Sequence, residues 1–340
     1  MGLNLVTGAT GLLGSHIVER LRQRQPDEAI RVLVRGGSDR TFLATQNVEF
    51  VEGDVTDPAS LAKAFAGVTT VYHAAARVGD WGPWSEFQRI TIDGTANMLA
   101  AAKSAAVQRF LHISSISAYG HPDGEGMVLD ETAPLGVNLH RWSYYSRAKV
   151  AAEGLVWNAL KNDNLAVTVC RPSWLYGIRD RTSMPRLIDA IRSGKIKVLG
   201  DGQNRLNLTN AANEAEGCIL AATNPKAIGQ SYNLSNDGVI TQIEYFTRIA
   251  EALGVTPKFK HVPYPVAKFG ALMMELTGRL FGRTRPPLAT RYSVWLIGRR
   301  CFFSCNKARN ELGWKATIGY EEGIRQAVAW DLDRRKAEGR

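Results

Sequence analysis

The chain has 340 residues, 45% of them hydrophobic and 22% charged, the proportions of a globular protein and not of a disordered chain, a collagen or a coiled coil. Charge interrupts every apolar run well before the roughly 18 residues that a spanning helix needs. Forty-two Lys and Arg stand against 32 Asp and Glu, a net charge of +10, and the stretch 258–300 alone holds nine basic residues and one acid, a net of +8.

In chain order, Leu3 to Thr7 is predicted as a strand, Gly8 to Gly14 as a tight turn and Ser15 to Arg24 as an amphipathic helix. Ile30 to Arg35 and Val48 to Gly53 are the next strands. A helix over Pro58 to Ala66 follows, with Asp57 as N-cap and Pro58 at the first helical position. Val68 to His73 is a strand, Thr91 to Ala105 an Ala-rich helix, Arg109 to Ile113 a strand, Ser143 to Leu160 a helix and Ala166 to Arg171 a strand. Strands alternating with helices predict an α/β protein with a doubly wound parallel sheet of Rossmann type. After Arg171 the rhythm breaks into prolines, loops and short elements. Gly229 to Ser235 reads as a strand returning to the sheet, and the pattern from Thr241 is mostly helical. The predicted division is a nucleotide-binding domain over 1–172 with a return segment near 205–235, and a smaller, discontinuous, mainly helical substrate lobe over 173–204 and 236–335.

The opening residues carry no basic or apolar leader, and Val6 stands where N-myristoylation wants Ser or Thr. Four cysteines are too few for a disulfide framework, and Cys301 and Cys305 have no second pair near them. They read as reduced thiols of a cytoplasmic protein, with no metal site.

The turn Thr7-Gly8-Ala9-Thr10-Gly11-Leu12-Leu13-Gly14 gives G-x-x-G-x-x-G between a strand and a helix. Glycines let the backbone approach a pyrophosphate, and the helix end offers free N–H groups and a positive dipole. Gly8, Thr10, Gly11, Leu12, Leu13 and Gly14 are the expected dinucleotide contacts. Arg35 stands 21 residues beyond Gly14, where an acid would hold the adenine ribose hydroxyls. A guanidinium there suits a 2′-phosphate, which favours NADP(H) and leaves NAD(H) open; the plain alternative is a solvated loop arginine.

Tyr145-Ser146-Arg147-Ala148-Lys149 is Y-x-x-x-K on a predicted helix, so both side chains share a face. A lysine ammonium beside the phenol is expected to lower its pKa, as proton transfer near neutrality requires. Serines crowd the end of the fifth strand in His112-Ile113-Ser114-Ser115-Ile116-Ser117-Ala118-Tyr119-Gly120.

These pieces, with G-D-V at 53–55, H-A-A-A at 73–76 and R-P-S-W-L-Y-G at 171–177, together resemble the extended short-chain dehydrogenases/reductases, the NAD-dependent epimerase/dehydratase superfamily. The resemblance implies Tyr145 as general acid/base, Lys149 as its tuner and as a ligand of the nicotinamide ribose, and Ser115 as the group that holds the reacting oxygen. It implies further cofactor contacts at Asp54, Val55, Ala74, Ala75, Ala76, Ser114, Pro172 and Ser173. The family's N-V-x-G-T is here Thr91-Ile92-Asp93-Gly94-Thr95, and its Y-V-D-D segment is Asn210-Ala211-Ala212-Asn213.

No acid pair follows Ser115, as a dehydratase of this family would need, and no asparagine follows Pro172, as a sugar-nucleotide epimerase would use. Trp81 and Trp84 lie in a Gly/Pro-rich loop after the fourth strand. With Trp174 and Tyr176 they are expected to face an apolar substrate, or else to cap the lobe interface. The C-terminal third, from Pro286-Pro287-Leu288 through Phe302-Phe303-Ser304 to Leu312-Gly313-Trp314, resembles the 3β-hydroxysteroid dehydrogenase-like branch. That branch implies a ketone or secondary alcohol on a sterol-like or β-keto/β-hydroxy acyl body. Two alternatives stay open: a nucleotide-sugar epimerase with tightly bound NAD, and a cofactor-binding redox-sensing regulator. The resemblance implies a homodimer. The basic 258–300 segment reads either as an ordinary lobe helix with its apolar face inward and its arginines in solvent, or as a contact with a membrane surface; no nucleic-acid recognition motif accompanies it.

Overall fold

The structure, a computed structural model, describes residues 2–122 and 124–339. Seven strands, β1 (Leu3–Thr7), β2 (Ala29–Val34), β3 (Glu49–Glu52), β4 (Thr70–His73), β5 (Arg109–Ile113), β6 (Val167–Pro172) and β7 (Ser231–Leu234), form one sheet in the order β7-β6-β5-β4-β1-β2-β3. Every pairing in it is parallel. The chain winds outward from β1 through β2 to β3, then restarts at β4 on the other side. The crevice above the ends of β1 and β4 is the switch point where such sheets take ligands.

Both faces of the sheet are covered, as the strands' Val, Ile and Leu content requires. One face packs against α1 (Leu12–Arg24) through Leu13, Ile17, Val18 and Leu21. The other packs against α2 (Pro58–Phe65), α3 (Gly94–Ser104) and α4 (Tyr144–Asp163) through Leu61, Phe65, Met98, Leu99 and Val156. Asp57 caps α2 as expected, accepting the Ala59 N–H at 3.1 Å.

Three boundaries differ from expectation. The first helix begins at Leu12, because Gly11 is its N-cap, so Gly14 lies inside the first turn. The expected helix from Thr91 is split: Gln88–Asp93 is a π-helical turn that runs into α3. The segment after Arg171, expected as loops and short elements, holds α5 (Ser183–Arg192) and α6 (Ala211–Thr223). Asn210 caps α6 by accepting the Ala212 N–H at 3.0 Å, and Ala215, Cys218 and Ile219 join the core under α1.

The lobe has its own core, built from Ile188 of α5, Tyr245, Phe246 and Ile249 of α7 (Gln242–Ala252) and Ile324 and Val328 near the C-terminus. Two further helices, α8 (Tyr264–Leu280) and α9 (Arg291–Gly298), are tied together by Glu275 and Arg291 and meet the sheet domain at Trp81 and Tyr145. Ala308, Leu312 and Trp314 then return to the core beneath α1.

Candidate active site

The glycine turn is shaped by close approach. Gly8 has φ +66°, and a Cβ there would lie 2.9 Å from the Ala74 carbonyl carbon and the Ala75 nitrogen. A Cβ on Gly14 would lie 2.2 Å from the Gly8 carbonyl oxygen. Gly11 carries no side-chain cap, and it and Thr10 are exposed. The amide end of α1 is therefore presented to the crevice, as an anionic pyrophosphate requires. The side chain of Leu13 is committed to the core.

Beneath the turn runs a buried polar chain. Thr95 donates its hydroxyl to the Thr91 carbonyl at 2.6 Å, so it accepts from His73 Nε2 at 3.1 Å; His73 Nδ1 then accepts from Thr7 Oγ1 at 2.9 Å. Thr7 Oγ1 in turn accepts the Ala75 N–H at 3.2 Å. Burial holds the His73 pKa down to about 3, in keeping with this neutral tautomer. The chain fixes the Ala74–Ala76 backbone at the crevice floor.

At the rim, Arg35 is exposed at the end of β2 with no ion-pair partner among the described residues. Arg40 is occupied: it pairs with Glu52 at 3.0 Å and stacks over Phe50. Asp54 holds the Thr56 N–H at 2.8 Å, and Val55 is buried against Gly94.

Ser115, Tyr145 and Lys149 converge. Ser115, two residues beyond β5, is extended and caps a 3₁₀ turn, accepting the Ser117 N–H at 3.1 Å. Its hydroxyl lies beside the Tyr145 phenol. Lys149, one turn along α4, places Nζ 6.0 Å from the Tyr145 ring centroid and donates to the Ile113 carbonyl at 2.7 Å. The expected lowering of the phenol pKa is not what this arrangement gives. Burial raises it, and the Ser115 hydroxyl is the group that opposes. Lys149 is itself brought down to about 8 by burial, with the Glu153 carboxylate opposing.

The other sequence candidates divide. The Ser114 hydroxyl donates to Glu153 at 2.6 Å, inside the protein. Pro172 closes β6, and the Ser173 hydroxyl bonds Thr209 and Ser235. Trp81 is buried, donates its indole N–H to the Arg283 carbonyl at 3.0 Å and packs on Gly278 of α8. Trp84 sits edge-on to Tyr144 with Arg147 stacked over it at 4.2 Å. Tyr176 does not reach Tyr145: it is fully buried in the lobe core, and Trp174 packs with it around Tyr245.

The residues that wall the Tyr145 phenol were not foreseen. Tyr292 of α9 stands edge-on to Tyr145 at 5.8 Å between ring centroids, and its hydroxyl meets Ser117 Oγ at 2.8 Å. Trp295, one turn further along α9, packs on Tyr292 and on His121, which also meets Trp142. The spacing of Tyr292 and Trp295 was the available signal, since i and i+3 on a helix share a face. Glu275 of α8 takes the Arg291 guanidinium at 2.7 and 2.9 Å and its N–H at 2.6 Å, which locks α9 in place. Asp80, after β4, accepts from the Thr290 hydroxyl that caps α9.

Residues 4–235 match the family described as NAD dependent epimerase/dehydratase. The chain belongs to this family. The 2-alkyl-3-oxoalkanoate reductase of Stenotrophomonas maltophilia (strain K279a) is 30% identical over 96% of this chain and 98% of its own length. The decarboxylating sterol-4-alpha-carboxylate 3-dehydrogenase of Mus musculus is 29% identical over 95% of this chain and 89% of its own. Among solved structures, gox2253 matches with a TM-score of 0.81 at 30% identity, covering 98% of this chain and 99% of that one. The UDP-glucuronic acid 4-epimerase of Bacillus cereus, in complex with UDP-glucuronic acid and NAD, matches with a TM-score of 0.77 over 98% and 99% of the two chains, and at 19% identity shares the fold alone. The chain is an NAD(P)-dependent dehydrogenase/reductase of the extended short-chain type, with relatives in the 3β-hydroxysteroid dehydrogenase-like branch.

The departures from the family's motifs acquire local roles. Thr91, in place of the family asparagine, is buried and accepts the Arg77 N–H at 2.9 Å, holding the loop after β4. Asn213, in place of an acid, braces the C-terminal segment: it donates to the Ile318 carbonyl at 2.8 Å and accepts the Ile318 N–H at 3.0 Å.

Proposed function

We propose that the protein interconverts a ketone and a secondary alcohol on a hydrophobic substrate, with NADP(H) preferred over NAD(H). The observation that carries this reading is the convergence of Ser115, Tyr145 and Lys149 beside the aromatic wall of Tyr292 and Trp295. A bound nicotinamide supplies or accepts the hydride. Tyr145 gives its proton to the developing alkoxide in reduction and takes it back in oxidation. Ser115 orients the reacting oxygen toward the phenol, and Lys149 holds positive charge beneath it. The wall excludes water and suits an apolar body.

Two further observations support the finer points. Arg35 has no ion-pair partner among the described residues, which leaves its guanidinium available to a 2′-phosphate. The relatives named above include a reductase of 2-alkyl-3-oxoalkanoates and a sterol dehydrogenase, whose substrates by those names are hydrophobic ketones or alcohols. On this reading the chain works in the cytoplasm as a homodimer, with a small hydrophobic molecule and not a nucleic acid as its partner.

The test is separate titration of NADPH and NADH into the purified protein, then turnover of a 2-alkyl-3-oxoalkanoate with the tighter cofactor. NADPH binding that collapses in Arg35→Ala, with turnover lost in Tyr145→Phe, is the expected result. A nicotinamide cofactor that co-purifies and does not exchange, with no net turnover, would bring the epimerase alternative forward. Cofactor binding without turnover of any ketone would bring forward the regulator.

A further inference from the structure

We propose that α8 lies flat on an anionic lipid surface and that substrate enters the cleft from it. The uptake half rests on the hydrophobic substrate proposed above; the docking half stands without it.

The helix has two unlike faces. Its inner face is small and closed: Ala271, Glu275 and Gly278 are buried, with Gly278 against Trp81 and Glu275 on Arg291. Its outer face is a row of large apolar side chains, Val266, Phe269, Met273, Leu276 and Leu280, spaced three and four apart and all exposed. Phe281 and Leu288, each 76% exposed, continue the row. Of the thirteen exposed large hydrophobics among the described residues, eight fall between 266 and 288, so the apolar exposure is one patch and not scatter.

Charge frames this row. Lys258, Lys260, Lys268, Arg279, Arg283 and Arg285 are exposed, and none forms an ion pair among the described residues. The one acid in the stretch, Glu275, is buried and neutralised by Arg291. Within 258–300 the exposed charge is therefore wholly positive. An apolar stripe flanked by unpaired cations is the pattern of a helix that seats its apolar side chains at the acyl boundary and its cations among anionic headgroups.

The same charge argues against other occupants. A second copy on this face would set six cations against six. A nucleic-acid backbone would satisfy the cations and leave the apolar row wet. No described helix is long and apolar enough to cross a membrane, which leaves a helix lying on the surface. The patch adjoins the site: Arg279 stacks over Tyr144, next to the catalytic tyrosine, and α9, tied to α8 by the Glu275–Arg291 pair, carries Tyr292 against Tyr145.

The experiment is co-sedimentation of the full chain with phosphatidylcholine vesicles, with and without phosphatidylglycerol, at low and high salt. Wild type should pellet with the anionic vesicles, less so at high salt. Phe269→Glu/Leu280→Glu removes the apolar contact and Arg283→Glu/Arg285→Glu reverses two charges. Each pair should cut vesicle binding by at least tenfold while leaving NADPH binding and the melting temperature unchanged. Wild type that stays in solution, that binds double-stranded DNA in place of vesicles, or that pellets equally in both variants overturns the docking. Uptake is read by comparing a long-chain ketone presented in vesicles with a short soluble one. Both variants should slow the first and spare the second; equal effects overturn the uptake. Vesicle binding with neither ketone reduced would fail the proposed reaction and keep the surface. Reduction without vesicle binding would do the reverse.

Discussion

Nη2 of Arg171 lies 2.5 Å from Oε1 of Glu153, and the two side chains are 4% and 0% exposed. Glu153 sits one helical turn beyond Lys149 and also takes the Ser114 hydroxyl and the Trp157 indole N–H. Arg171 reaches on to the Tyr119 hydroxyl at 2.8 Å, and that hydroxyl meets Asn233 Oδ1. The pair thus ties α4 to β6 and β7 and to the end of β5, close to Lys149. Breaking a buried pair strands a charge, at a cost of about 3–5 kcal/mol, whereas replacing both partners is often near neutral. Glu153→Leu should therefore lower the urea midpoint sharply, and Glu153→Leu/Arg171→Leu should recover most of the loss. A double variant as weak as the single would show that the network beyond the pair carries the stability.

Lys149 sets a limit on the alkaline side. Its pKa, brought to about 8 by burial, means that the ammonium is present below that pH and lost above it. The phenol of Tyr145, raised by burial, keeps its proton throughout this range, as the proposed reduction requires. For ketone reduction, kcat/KM should be level up to pH 8 and then fall about tenfold per pH unit. A profile that stays level to pH 10 would mean that the charge on Lys149 is not required.

Strong local signals made the nucleotide-binding half legible in the sequence. Strands β1 and β5 lie where the apolar runs place them, Tyr145 and Lys149 share a helix face as their spacing implies, and Ser115, named by the family resemblance and not by spacing, lies beside them. The lobe was less legible because its contacts are long-range. Tyr176 follows a site motif yet is drawn into the lobe core by Tyr245 and Ile324, while Tyr292 reaches Tyr145 across nearly 150 positions of chain, with Trp295 packed behind it. The pKa of Tyr145 was misjudged for a related reason: Y-x-x-x-K shows the lysine and not the burial, and here burial is the larger influence.

His73 should make part of the protein's acid sensitivity. Its folded pKa of about 3 lies below the ordinary value near 6.5. Between these values the unfolded chain binds a proton that the folded chain refuses, so stability is full above about 6.5 and falls as pH drops. At pH 5 this amounts to about 2 kcal/mol. Asp80, Glu131 and Glu214, all raised by burial, act in the opposite sense. The comparison must therefore be between variants. His73→Gln should lose about 2 kcal/mol less than wild type between pH 7 and pH 5, whatever its stability at pH 7. An equal loss in both would remove His73 as a source.

Two glycines should respond to alanine in opposite directions. At Gly14 the added carbon meets the Gly8 carbonyl, backbone against backbone, so no side chain can yield. Gly14→Ala should cost at least about 1–3 kcal/mol and abolish cofactor binding. At Gly154, inside α4, nothing lies within 4 Å of the added carbon, and Gly154→Ala should stabilise by about 0.5–1 kcal/mol through helix propensity. Melting curves that move in the same direction for both would contradict the close approach at Gly14.

Arg299 is 6% exposed, and its Nε and Nη2 have no hydrogen-bond partner. It pairs with no carboxylate among the described residues and rests on the rings of Trp295 and Phe303 at 4.6 and 5.2 Å. Burial depresses its pKa. Each stranded donor costs about 1–3 kcal/mol, and stacking on the rings returns about 2 kcal/mol or more. The balance favours removing the charge while keeping the apolar stem. Arg299→Met should therefore leave stability unchanged or raise it by about 1–2 kcal/mol, read as an equal or higher urea midpoint. A midpoint that falls would mean that stacking on Trp295 and Phe303 outweighs the stranded donors, and that the guanidinium braces the α9 end of the aromatic wall.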